Sequence, residues 1–339
     1  MLPFPNRLAT MLAVALATAP SVHAARPGDA VQPASGTRGL MLVSAPGGAH
    51  LVHGAVRTAL PAAAGTRWSA LAELSDGYVV AGSRANQLLL LRGTENGATV
   101  LKAPGGAPER FRANPVPLVQ NGQFAGLMWL EGDAPGAYRV AAAEWKTAGW
   151  GTPWVVTPPG PGSQLALTAC VLADGSWLAA WAGFDGQDDE IWWTRIRDGV
   201  ASKPARAHAD NAVPDVTPTL VATDRGALLA WSFYDGNDYR LALARFADDG
   251  FTAVEVESGA GTVEPSFVSG FATPALLYRS VMPDAWTLLK LDPRGEPSAR
   301  VAVAGRGSLR PAVRAQGGNV VLHWEGSEHD ATSAWSPLR

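Results

Sequence analysis

The residues able to do chemistry gather in a few short stretches. Phe184, Asp185, Asp188, Asp189 and Glu190 make one; Tyr234, Asp235, Asp238 and Tyr239 make a second with nearly the same spacing. Glu131, Asp133 and Tyr138 form a third group, Asp284 and Trp286 a fourth, and Glu328, His329 and Asp330 a fifth. Arg110, Arg112, His208, Asp210, Asp215, Glu264 and Arg310 lie between these groups. Carboxylates accept paired hydroxyl hydrogens and aromatic rings cover the apolar face of a pyranose, so the mixture suits sugar recognition. The ligand-binding candidates are Arg112, Asp133, Tyr138, Asp188, Tyr234 and Asp238, with Tyr239, Asp284, Trp286, Arg310 and Asp330. Two carboxylates, Asp185 and Asp235, are the candidate catalytic pair for glycoside hydrolysis. That reaction needs about 5–5.5 Å between carboxyls for retention and about 6.5–9.5 Å for inversion.

Other chemistries find less support. The pairs Asp185/Asp188 and Asp235/Asp238 offer oxygens to calcium, but the segment 185–190 lacks the EF-hand spacing. His50 and His53, three apart on a strand, point to opposite faces and do not share a metal. No His-Glu-x-x-His and no Gly-x-Ser-x-Gly occurs, so zincin and serine-hydrolase chemistry are set aside, and no cofactor is expected. Cys170 is the single cysteine, which excludes an internal disulfide; its apolar strand makes it a buried, inert thiol. The 27 basic and 30 acidic residues give a net charge of −3, without the basic excess of a nucleic-acid binder.

The elements that must position these groups repeat. Turn tripeptides recur at Ser75-Asp76-Gly77, Gln120-Asn121-Gly122, Ala173-Asp174-Gly175, Asp224-Arg225-Gly226, Phe271-Ala272-Thr273 and Gln316-Gly317-Gly318, in steps of 45, 53, 51, 47 and 45 residues. An apolar strand follows each turn. Five of the six carry an aromatic there, Trp129, Trp181, Trp231, Tyr278 and Trp324, and the first has Gly82 instead. A polar loop, a third strand, a second glycine turn and a fourth strand complete each unit. Four strands per 45–50 residues, with no sustained helical period, predict an all-β chain: a six-bladed β-propeller of four-stranded antiparallel blades. Seven blades is the alternative. The last unit lacks an outer strand, so an N-terminal strand from residues 39–57 is expected to complete it and close the ring. The aromatics are expected to pack between blades.

The strand-two-to-three loops and the blade-to-blade connections share one rim, which holds the acids and aromatics. The opposite rim carries minimal glycine turns. Ahead of the propeller (39–339), residues 1–24 read as an export signal: Arg7, an apolar run from Leu8 to Ala19, and Val22-His23-Ala24 as a cleavage site. The run is too short to span a bilayer. Residues 25–38 read as a flexible leader, and the product as an exported, periplasmic or extracellular monomer.

The unit of Asp-Gly turn and apolar strand ending in Trp resembles the BNR or sialidase-like propellers over residues 68–335. Gly149-Trp150-Gly151-Thr152-Pro153-Trp154 is similar to their third-to-fourth-strand turn, and Phe111-Arg112-Ala113-Asn114-Pro115 to their Phe-Arg-Ile-Pro segment. The Asp-box Ser/Thr-x-Asp-x-Gly-x-x-Trp is absent. The resemblance implies six blades, a glycan substrate, and Arg112 as a carboxylate-binding arginine, with Arg279 and Arg310 available to complete a triad. Two functions follow as expectations: a non-catalytic module binding a glycan or protein through the acidic rim, or a glycoside-processing enzyme.

Overall fold

The computed structural model describes residues 40–338 apart from 46–47, 54–55, 62–64, 95–96, 106–108, 135, 159–161, 210, 257, 269–270, 306–310, 317–318 and 325–330. The expected export signal and leader lie outside the described residues, as do Asp210, Arg310, Glu328, His329 and Asp330.

Every described element is a strand. The N-terminal strands are β1 (Met41–Ala45), β2 (Gly48–His53) and β3 (Val56–Ala59). The first blade is β4 (Thr66–Leu74), β5 (Gly77–Arg84), β6 (Gln87–Thr94) and β7 (Gly97–Leu101). The second is β8 (Phe111–Gln120), β9 (Gln123–Gly132), β10 (Arg139–Lys146) and the short pair β11 (Gly149–Trp150) and β12 (Trp154–Val155). The third is β13 (Gln164–Val171), β14 (Trp177–Phe184), β15 (Asp189–Arg197), β16 (Val200–Ala201) and β17 (Ala205–Arg206). The fourth is β18 (Asp215–Thr223), β19 (Gly226–Tyr234), β20 (Tyr239–Ala247) and β21 (Gly250–Val254). The fifth is β22 (Thr262–Val268), β23 (Ala275–Ser280), β24 (Ala285–Leu291) and β25 (Pro297–Ala304). The sixth is β26 (Ala312–Gln316), β27 (Asn319–His323) and β28 (Ala331–Ala334), after which β29 (Ser336–Pro337) ends the chain.

Each of the six turn-bearing repeats thus forms its own small antiparallel sheet, and the six sheets stand in a ring: the β-propeller read from the repeat. The turns form as their residues dictate. Asn121 and Gly122 both have positive φ, as do Asp198 and Gly199, which matches the right-handed twist of the strands they join.

Ring closure differs from the expectation. Among the described residues, no N-terminal strand is hydrogen-bonded to the sixth sheet. β1, β2 and β3 pair with one another and make a separate three-stranded sheet beside the six blades. β1 packs against β26 on one side and β4 on the other, so this sheet stands between the last blade and the first. The physical reason is locality: successive strands find each other as hairpins at little loop-closure cost, before the two ends of the chain meet. The chain's end crosses instead to the fifth blade, where β29 pairs with β25.

The aromatics wedge the blades apart from solvent as expected. Trp129, Trp181, Trp231, Tyr278 and Trp324 are all buried, and each joins a cluster shared with the preceding blade. At the Gly82 position the first blade instead meets Leu40, Leu51 and Leu60 of the N-terminal segment through Trp68, Leu71 and Val80. The inner strands are also tied side to side. Asn114 Nδ2 donates to Leu167 O at 3.2 Å, Leu220 N to Thr168 Oγ1 at 3.0 Å, and Phe267 N to Thr219 Oγ1 at 3.2 Å. Each of β8, β13, β18 and β22 carries a bulge near its start, with Asn114, Ala166, Thr217 or Glu264 at positive φ. The bulges re-aim the first residues of the inner strands, Asp215 among them.

Candidate functional site

The loops after β14 and β19 share one construction. In Asp185-Gly186-Gln187-Asp188, Asp185 Oδ1 accepts the amides of Gln187 and Asp188; in Asp235-Gly236-Asn237-Asp238, Asp235 Oδ1 accepts those of Asn237 and Asp238. Gly186 and Gly236 supply the positive φ that closes each loop. The other carboxylate oxygen goes to an arginine in both: Arg206 to Asp185 Oδ2 at 2.6 Å, Arg240 to Asp235 Oδ2 at 2.8 Å. Arg240 and the two loop amides hold the Asp235 carboxyl at about 2, well below the usual range. The sequence-derived catalytic pair therefore consists of two Arg-paired turn carboxylates, whose calcium-facing oxygens already serve the chain itself.

The junction of the third and fourth blades concentrates the buried polar groups. Glu190, the second residue of β15, is fully buried, and Asp215, the first of β18, is 1% exposed. The connection between them places His208 Nε2 at 3.1 Å from Glu190 Oε2 and 3.3 Å from Asp215 Oδ2. Asn211 donates its amide to Glu190 Oε1 at 3.4 Å and its side-chain Nδ2 to Asp215 Oδ2 at 2.9 Å. Trp231 Nε1 donates to Asp215 Oδ1 at 2.6 Å, and its ring stacks on the His208 imidazole, centroids 5.3 Å apart and tilted by 18°. Burial pushes the Glu190 carboxyl up to about 7; the Asn211 amide and Arg206 oppose this, while Asp215 and Asp188 add to it. Burial raises Asp215 as well, against Asn211, His208 and Trp231. Burial, then Asp185, raises Asp189.

A second buried carboxylate lies in the second blade, on its second strand. Glu131 is surrounded by Arg110 and Arg112 at 3.6 Å and Arg139 at 4.0 Å, and accepts from Trp129 Nε1 at 3.1 Å. Arg112, the expected carboxylate binder, also donates to the carbonyls of Pro104 and Gly105 and lies over Trp129. Its carboxylate partner is Glu131 of the same chain.

The remaining candidates scatter. Trp286 is fully buried among Leu288, Val313 and Trp324, so it is core and not a rim ligand; β24 begins one residue earlier and turns the indole into the blade interface. Tyr138 packs partly buried against the core between the second and third blades. Asp133 is exposed beside Arg110, and Asp284 accepts from Arg279 Nε at 3.0 Å. Asp238 Oδ1 accepts the Tyr239 amide, and Tyr234 and Tyr239 lie ring to ring at 5.4 Å. Arg310 and Asp330 lie outside the described residues. Asn211 and the Glu131 cage were missed in the sequence. The signal available was an acid at the edge of an apolar strand, as at Glu190 and Glu131.

The opposite rim carries more than glycine turns. Arg195 joins Asp174 of its own blade to Asp249 of the next, and Arg245 reaches Glu296 of the fifth. A cavity of about 590 Å³ opens there between the inner strands. Its depth is apolar, lined by Leu71, Val116, Leu118, Leu220 and Phe267 with Cys170. Burial pushes the Cys170 thiol up to about 12, which leaves it without nucleophilic character. Its charged lining residues, Asp224, Arg225 and Asp292, are exposed or half-buried, whereas Glu190 and Asp215 at the blade-three/four junction are buried and converge on His208.

No protein-family model matches the chain, and no curated protein matches its sequence. Solved structures match its fold. A candidate 6-phosphogluconolactonase from Bacteroides uniformis superposes with a TM-score of 0.54 at 13% identity, over 88% of this chain and 97% of that one. A protein from Lactobacillus plantarum gives 0.53 at 15% identity, over 82% and 86%. An α-L-arabinofuranosidase from Lactobacillus brevis gives 0.47 at 13% identity, over 67% and 91%. The first two similarities establish the β-propeller architecture; kinship with the sialidase-like propellers is a reading of the sequence.

Proposed function

We propose that the chain is an exported propeller that binds a glycan on the rim of its third and fourth blades. One observation carries this reading. Phe184 and Tyr234 end the second strands of adjacent blades, each directly before an Asp-Gly loop, and both are left accessible while the wedge aromatics are buried. Tyr239 stands against Tyr234, and Phe184 is followed by Asp185 and paired across the strands with Asp189. Apolar faces beside fixed acceptors suit a ring that is apolar on one side and hydroxylated at its edge.

A glycan array probed with the full chain tests it. Binding is expected, weakened about tenfold in Tyr234→Ala, the loss of one stacking contact. No glycan bound while a protein partner is retained would overturn the glycan reading. A second reading, glycoside processing, is favoured by the convergence of Asp185, Asp188 and Glu190, whose carboxylate oxygens lie within 4.8 Å of one another. A retaining pair needs its carboxyls about 5–5.5 Å apart. Turnover of aryl glycosides, abolished in Asp188→Asn, is its test.

A further inference from the structure

The convergence at His208 goes beyond ligand binding and does not depend on it. His208 Nδ1 lies 2.7 Å from Ala209 O. A carbonyl only accepts, so Nδ1 is the protonated nitrogen, and in the neutral ring Nε2 presents its lone pair. That lone pair faces Glu190 Oε2 at 3.1 Å and Asp215 Oδ2 at 3.3 Å, both acceptors themselves. Glu190 Oε2 and His208 Nε2 are buried and neither finds a hydrogen-bond partner. Three acceptors aimed at one point repel unless a proton or a metal cation stands between them.

From this geometry we infer that Glu190, His208 and Asp215 form a site for a small divalent cation of the zinc type. The two separations from His208 Nε2 fit, and all three atoms lie within 4.8 Å of one another: donors about 2.1 Å from an ion stand about 3.4 Å apart in a tetrahedron and about 3.0 Å apart in an octahedron. The outer shell fits as well. Each ligand is oriented by a second contact: His208 by the Ala209 carbonyl and the Trp231 ring, Asp215 by Trp231 Nε1 and Asn211, Glu190 by the Asn211 amide. Metal-binding imidazoles are held in this manner, through their other nitrogen. The His208 side chain keeps 20% of its surface exposed, while its Nε2 faces inward, buried with Glu190 Oε2. One nitrogen and two oxygens at low coordination number select zinc or manganese over calcium, which takes six to eight oxygens.

The test is calorimetric titration of the chelator-stripped full chain with Zn²⁺ near neutral pH, with Mn²⁺ and Ca²⁺ titrated in parallel. One equivalent of Zn²⁺ is expected to bind, at least about a hundredfold more weakly in His208→Ala. Asp76→Asn, on the opposite rim, is expected to bind as the parent does. A readout on the unaltered chain guards against a variant that fails to fold: on adding Zn²⁺ the imidazole nitrogen NMR signal of His208 Nε2 shifts while Nδ1 keeps its proton. Failure of both Zn²⁺ and Mn²⁺ to bind, a preference for Ca²⁺, or a His208→Ala protein that binds unchanged would each overturn the site. Because no glycan is present, none of these outcomes bears on the glycan reading.

Discussion

Two blades of this propeller bury a carboxylate beneath the same tryptophan, and they settle its charge in opposite ways. In the second blade Trp129 and three guanidiniums enclose Glu131. In the fourth, Trp231 holds Asp215, but the groups completing the shell are a histidine and a second buried carboxylate, Glu190. The first site is complete within the chain. The second is short of positive charge. The repeated tryptophan thus holds a second-strand carboxylate with its cations in one blade and a first-strand carboxylate without them in the other, where the inferred cation would supply the charge.

The largest expected effect breaks the complete site. Glu131→Gln strands three arginines around a neutral amide, and urea unfolding is expected to show a loss of about 3–5 kcal/mol. Glu190→Gln in chelated protein is expected to go the other way. Glu190 titrates near 4.5 when unfolded and near 7 when folded, so the folded chain holds the proton more tightly. Its contribution is present below about pH 4.5, falls as the pH climbs to about 7, and is flat above. The glutamine cannot titrate, so that fall disappears. At alkaline pH the variant is expected to exceed the parent by on the order of 1–3 kcal/mol in unfolding experiments. Trp129→Phe and Trp231→Phe each remove one indole donor to a buried carboxylate; about 1–2 kcal/mol is expected for each by thermal melting. Added Zn²⁺ is expected to widen the effect only for Trp231. The smallest effect belongs to Cys170: with its thiol at about 12, labelling by a thiol reagent at neutral pH should be slow and stability indifferent to reductant.

Much of the architecture was legible because it is local. Asn121-Gly122 and Asp198-Gly199 announce hairpins through their own φ preferences, and Trp129, Trp181 and Trp231 recur at the period of the blade. Closure was not legible, since it depends on which of two edges the N-terminal strands prefer, and a hairpin of β1 with β2 satisfies them first. Trp286 misled because a residue at a loop's edge in sequence can be the second residue of a buried strand. The candidate rim contained Glu190, His208 and Asp215, yet their meeting was invisible. They come from a strand, a connection and the next blade's inner strand, and only the packing of β15 against β18 joins them. Asp185 and Asp235 stood out in the sequence for the same feature that commits them to turns, an Asp before a Gly.

Anomalous scattering at the zinc edge from crystals grown with Zn²⁺ decides between the two carboxylate sites in one map. A peak about 2 Å from His208 Nε2, Glu190 Oε2 and Asp215 Oδ2, with none beside Glu131, is the result expected. A blank map at His208, or a peak only elsewhere, would contradict the cation site at Glu190, His208 and Asp215.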